Sequence, residues 1–121
     1  MSRPEIVAAL HAAIPAGARV LVPFREWYVF VGRNPAIGLE GRSLPMFQTS
    51  LVRSVHEFGV EYMVLVRDPV TLDSPYYWVS DDSAAFAQYL RTQTLVVRMI
   101  GGGQYGEFEV RRVVGGLERA Q

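Results

Sequence analysis

Cysteine is absent from all 121 residues. That excludes a disulfide-stapled scaffold, a thiolate zinc site, iron–sulfur ligation and a cysteine nucleophile. Lysine is absent as well, because all twelve basic residues are arginine. Neither a Schiff-base lysine nor the lysine of a phosphate-binding loop is available. The arginine bias itself reads as GC-rich codon usage rather than as function. Histidine is scarce: His11 and His56 are the whole supply, without HxxxH or HExxH spacing. Net charge is lacking too, since twelve acids balance the twelve arginines, which argues against a strongly electrostatic nucleic-acid binder. No apolar run is long enough to span a bilayer. Arg3 precedes an apolar run and Ala16-Gly17-Ala18 resembles a cleavage site, but Pro4, Glu5 and His11 do not suit a secretory leader. A cytoplasmic protein without membrane contact is the expectation.

What the chain has in quantity is apolar residues. They make up 50% of the sequence, and mean hydropathy is slightly positive at +0.12. A chain of this length forms one domain with a core of its own. Half apolar content in so short a chain predicts some apolar surface covered by a partner or a second copy.

The patterning predicts an order of α-β-β-α-β-β-α-β-β. Ser2 and Glu5 fit a capping box, with Ile6, Leu10, Ala13 and Ile14 on one helical face. Residues 19–22 and 27–31 are apolar runs around Pro23 and read as a hairpin. Residues 32–45 read as a loop of a length that is often functional. In 47–58, Phe47, Leu51, Val55 and Phe58 recur at helical spacing and Gly59 suits a helix end. The alternative is a strand that pairs with 60–66 in a long hairpin. Residues 60–66 read as an interior strand covered on both faces. Asp73-Ser74-Pro75 marks a turn, 76–79 a short aromatic strand, and Ser80-Asp81-Asp82 the start of a helix bearing Phe86, Tyr89 and Leu90. Residues 94–100 and 107–114 read as strands around a glycine-rich turn, and 115–121 as a frayed tail. The predicted fold is therefore α+β, an antiparallel or mixed sheet of about six strands with three helices mainly on one face. The predicted core is Ile6, Leu10, Val20, Val22, Val29, Leu51, Val55, Val64, Val66, Phe86, Leu90, Val96 and Val110. On 107–113 the charges of Glu107, Glu109 and Arg111 fall on one side, which predicts a solvated face.

Few residues suggest chemistry. Gly101, Gly103 and Gly106 match GxGxxG, but the dinucleotide fingerprint needs a helix after it, and here a strand follows. A hairpin turn explains the glycines better. His56 stands beside Glu57 on a predicted helix, as a surface residue would. Asp68, Asp73, Asp81 and Asp82 lie near strand ends where a cation could sit, but turn formation and capping account for them. No metal or other cofactor is expected. Arg25, Trp27, Tyr28 and Arg33, together with Tyr76, Tyr77 and Trp78, combine aromatic area with guanidinium groups. These seven are the candidate partner-binding residues.

The segment 62–90 resembles the end of SUKH-type immunity domains, where a strand leads to a serine and then a helix with Phe and Leu spaced as Phe86 and Leu90 are. It covers about a quarter of the chain, and the pattern is a common one. The order of elements is also similar to that of small phage tail-completion proteins. High apolar content without a coherent catalytic set points to a non-catalytic interaction or assembly module, such as an adaptor, an immunity-type inhibitor or a subunit, with a protein partner or a second copy. The alternatives are a small enzyme with a Tyr/His/Asp pocket, and a nucleic-acid binder using Arg25, Trp27, Arg33 and Arg53. The apolar runs 20–22, 29–31 and 60–66 lack the charges and prolines that blunt a sheet edge, so an edge is expected to take part in assembly.

Overall fold

Helix α1, Arg3–Ala13, starts where the sequence says it should. The Ser2 side chain accepts from the Glu5 backbone N–H, and Glu5 returns the bond to the Ser2 N–H at 2.9 Å. Pro4 costs nothing there, because the first turn has no internal acceptor for its missing N–H. Those bonds hold the Glu5 carboxyl below its usual range.

The computed structural model describes residues 2–38, 51–67 and 83–114. After α1 come β1, Val20–Val22; a 3-10 helix, Phe24–Val29; β2, Ala36–Gly38; α2, Leu51–Phe58; β3, Tyr62–Arg67; α3, Ser83–Gln93; β4, Thr94–Gly101; a 3-10 turn, Gly103–Tyr105; and β5, Glu107–Val113. The described strands form one five-stranded sheet in the order β2-β1-β3-β5-β4. It is mixed: β1 pairs parallel with both β2 and β3, while β3–β5 and β5–β4 are antiparallel.

The α+β class, the mixed sheet and the three helices agree with the expectation, with five strands among the described residues rather than about six. The predicted 76–79 strand, Leu51 and Phe86 as core side chains and the 115–121 tail lie outside what is described. Residues 51–58 are helical, which settles the choice between helix and strand there. The predicted second strand, 27–31, is a correction. Phe24–Val29 form a 3-10 helix instead, closed by the Phe30 N–H donating to the Trp27 carbonyl, which buries Val29 and Phe30 and leaves Trp27, Tyr28 and Val31 exposed. The strand beside β1 is supplied instead by Ala36–Gly38, inside the expected loop.

Helices cover both faces, which corrects the mainly one-sided arrangement. Val20, Val22, Val64, Val66, Phe108 and Val110 pack with Ile6, Leu10 and Ile14 on the α1 side. Leu21, Met63 and Leu65 pack with Val55, Tyr89 and Leu90 on the α2 and α3 side. Alternating β3 residues enter both clusters, so the interior strand is buried on both faces as predicted.

Arginine has a structural use that composition does not reveal. The last carbonyls of a helix have no partner within it. Arg33 donates to the His11 carbonyl at the end of α1, at 2.9 Å. Arg19 donates to the Phe58 carbonyl at the end of α2, at 3.0 Å. Arg111 donates to the Leu90 carbonyl in the last turn of α3, at 3.2 Å. Each cation also sits at the negative end of a helix dipole. Arg111 pairs with Glu109 and bonds Thr94 Oγ1 at 3.0 Å, with both charged side chains largely buried. On the charged side of β5, Glu109 and Arg111 thus lie beneath α3 and are not solvated as expected, while Glu107 is exposed.

Candidate functional site

A Tyr/His/Asp enzyme needs a histidine within reach of an acid. His11 Nε2 lies 2.7 Å from the Val29 carbonyl, so that nitrogen carries a proton and donates it to backbone. The bond ties α1 to the 3-10 helix. His56 lies in α2 with its ring tilted against Tyr89, centroids 5.8 Å apart. Neither ring meets a carboxylate among the described residues. No group of three or more His, Asp or Glu side chains among them is placed to hold a metal ion. Asp68, Asp73, Asp81 and Asp82 lie outside the described residues.

Tyr89 is itself buried, and its hydroxyl has no hydrogen-bond partner among the described residues. Burial pushes the phenol above its ordinary value of 10.0. The folded state therefore holds that proton more tightly than the unfolded chain. The resulting stability is complete below about pH 10 and is lost as pH rises through the folded value. Tyr89→Phe removes a buried hydroxyl without opening a cavity. It is expected to leave stability at neutral pH unchanged or raise it by up to about 1 kcal/mol, and to reduce the alkaline loss. Urea unfolding at neutral pH and near pH 10.5 checks this. A loss of more than about 1 kcal/mol at neutral pH would show that the hydroxyl is usefully bonded.

The glycine-rich stretch is the β4–β5 turn. Gly103 and Gly106 take φ of +60° and +96°, and β5 follows directly, so no helix N-terminus is present to receive a phosphate. Tyr105 from this turn meets Arg3 of α1. The Arg3 guanidinium lies over Tyr28 at 5.1 Å and over Tyr105 at 5.4 Å, and donates to the Tyr28 hydroxyl at 2.8 Å. Buried Glu26 completes a small cleft beneath them with room for about one water molecule. The cleft is too small for a substrate; it ties the first turn of α1 to the hairpin tip.

Of the seven candidate partner-binding residues, Trp27 and Tyr28 are exposed on the 3-10 helix. Arg33 is half-buried and engaged with the His11 carbonyl and Asn34. The Arg25 side chain and Tyr76, Tyr77 and Trp78 lie outside the described residues. Arg53 pairs with Glu57 one turn along α2, on the face opposite α1. Arg33 and Arg53 thus do not join Trp27 in one cationic patch.

Among the described residues the largest run of exposed apolar side chains lies on β4, an edge of the described sheet. Leu95, Val96, Val97 and Met99 are 57%, 45%, 47% and 53% exposed. Val96 was expected in the core. It lies outside because β4 is the last strand of the described sheet, with a neighbour on one side only. Leu95, Arg98 and Ile100 pair with Arg112, Val110 and Phe108, which puts them on the α1 side. Val96 and Met99 pair with Arg111 and Glu109 on the α2 and α3 side. The register slips between Val96 and Arg98, a bulge at Val97 that reverses which face each later residue takes. The edge is therefore apolar on both faces.

Three arginines surround it. Arg98 reaches only the Ala9 carbonyl, at 3.5 Å. Exposed Arg112, diagonal to Arg98 on the same face, and exposed Arg91, in the last turn of α3, meet no carboxylate among the described residues. Sequence reasoning missed this surface: it singled out 20–22, 29–31 and 60–66 as runs without edge protection, whereas β1 and β3 are interior, as expected for 60–66, and 29–31 is not a strand. The available signal was the run LVVRMI, five apolar residues with one arginine and no alternation.

Comparison with family models, curated proteins and solved structures finds no match. Among the described residues no helix is long and apolar enough to cross a membrane.

Proposed function

We propose that this protein is a non-catalytic protein-interaction module of the cytoplasm, working as an adaptor, an inhibitor or a subunit of a larger assembly, and that it engages its partner through the β4 edge. The observation that carries this reading is the half-exposure of Leu95, Val96, Val97 and Met99 on one edge strand. Contiguous apolar surface of this kind marks interaction sites, and an exposed strand edge invites another strand. Trp27 and Tyr28 add a second exposed aromatic area near the hairpin tip.

Native mass spectrometry of the protein purified from its own host tests the reading, with wild type beside Val96→Ser/Met99→Ser. Both side chains are exposed, so the double variant is expected to fold with stability within about 1 kcal/mol of wild type. The wild type is expected in a defined complex, with a second protein or with itself, that the double variant loses. A wild type found only as a free monomer, or a complex indifferent to the two substitutions, overturns the proposal.

A further inference from the structure

Resting on the β4 edge as the docking surface, we infer that its partner is an extended segment of another protein, apolar on alternate residues and carrying carboxylates, which adds to the sheet beside β4. Charge complementarity selects this occupant. The strand offers four exposed apolar side chains and one charge, Arg98, and no acid. Arg98 on β4 lies next to the position of an added strand, and Arg112, diagonal to it on the same face but one strand further in on β5, adds positive charge behind it, so a carboxylate on that face of the added strand would meet both. Arg91 extends the positive charge toward the start of β4.

The other described arginines with placed side chains have uses of their own. Arg19, Arg33 and Arg111 bond helix-end carbonyls, Arg53 pairs with Glu57, and Arg3 lies between two tyrosine rings. Arg91 and Arg112 show no such use among the described residues, Arg98 makes a long bond of 3.5 Å to the Ala9 carbonyl of α1, and these three are the ones at the apolar edge.

A second copy fits this edge poorly. A twofold that pairs β4 with itself brings Arg98 close to its own symmetry mate with no acid on either strand. The Val97 bulge also breaks the regular ladder that two rigid sheets need in order to join. A segment not yet fixed in a sheet can follow the bulge. Nucleic acid fits less well again, because β4 carries no aromatic residue on which a base would stack.

The test pans a display library of random ten-residue peptides on the wild-type protein, with Arg98→Glu/Arg112→Glu as counter-selection. These side chains are exposed and make no ion pair among the described residues, so circular dichroism is expected to show both proteins folded alike. Enriched peptides are expected to alternate β-branched residues with Asp or Glu. By fluorescence anisotropy, a chosen peptide is expected to bind wild type at least ten-fold more tightly than the double-Glu variant. Its Asp/Glu-to-Lys counterpart is expected to reverse that preference. Peptides without acids, or affinities unmoved by the charge reversal, overturn the inference, as does tighter binding of oligothymidine than of any peptide. A β4-dependent homodimer in sedimentation overturns it while leaving the interaction-module reading standing. Loss of that reading in the Val96/Met99 experiment is a separate result.

Discussion

Gly102→Ala is expected to cost about 3 kcal/mol of stability or more, at the upper end of what overpacking usually costs. The reason is space and not backbone conformation, since Gly102 has φ of −94°. A methyl group there would stand 2.6 Å from the Gly106 carbonyl oxygen and 2.7 Å from Cε2 of Phe108. Neither neighbour can yield cheaply. The Gly106 oxygen accepts the Gly102 N–H at 2.8 Å and closes the turn, and the Phe108 ring is among the most buried side chains in the molecule. Gly101→Ala is the control: nothing lies within 4 Å of its methyl position, so a change within about 0.5 kcal/mol is expected. Urea unfolding of the two variants decides the point. Equal stabilities would mean that the hairpin tip accommodates the methyl by moving.

The second large effect is expected at the Glu109–Arg111 pair. Arg111→Leu should cost about 3 kcal/mol, because it takes the Arg111 cation from the largely buried Glu109 carboxylate and one donor each from the Leu90 carbonyl and Thr94 Oγ1. Glu109→Leu should cost less, because Arg111 keeps its bonds to the Leu90 carbonyl and to Thr94 Oγ1. Removing both charges as Glu109→Leu/Arg111→Leu should recover much of the loss, since two apolar side chains need no desolvated partner. A double-mutant cycle by chemical denaturation measures the coupling. Single variants that each cost under about 1 kcal/mol would place this pair in water and not beneath α3.

Local chemistry was the legible part of this sequence. The capping box at Ser2 and Glu5, the hairpin glycines and the two-sided burial of β3 each follow from residues near in sequence, and each is present. Ten residues of the predicted core are buried, but Phe30, Phe108, Met63 and Leu65 were not picked out, since each falls in a run whose facing depends on what packs against it. The 3-10 helix was misread because Trp27, Val29 and Val31 alternate as a strand does, while Phe30, which breaks that alternation, is anchored by the core. Strand order was not legible. Nothing near β1 reveals that its neighbours are Ala36–Gly38 and β3, both parallel to it. Without the order, the edge could not be located. The uncovered surface was sought on valine runs that turn out to be central, while Val96 was assigned to the core.

The sheet order also constrains the sequence of events in which the protein assembles. The β4–β5 pairing is joined by a short turn, and hairpins of this kind close in about 1–10 μs. The pairing of β5 with β3 joins residues forty to fifty positions apart, and that of β3 with β1 joins residues about forty apart. Such contacts cost loop-closure entropy before they return any binding energy, which slows folding. The hairpin therefore forms well before β3 arrives. During that interval both of its edges are open: the β5 edge that β3 later covers, and the β4 edge that stays uncovered in the described sheet. A strand added to β4 at that stage would extend the template on which β3 and then β1 must dock. A partner segment of this kind would act on the folding rate as well as on the folded protein.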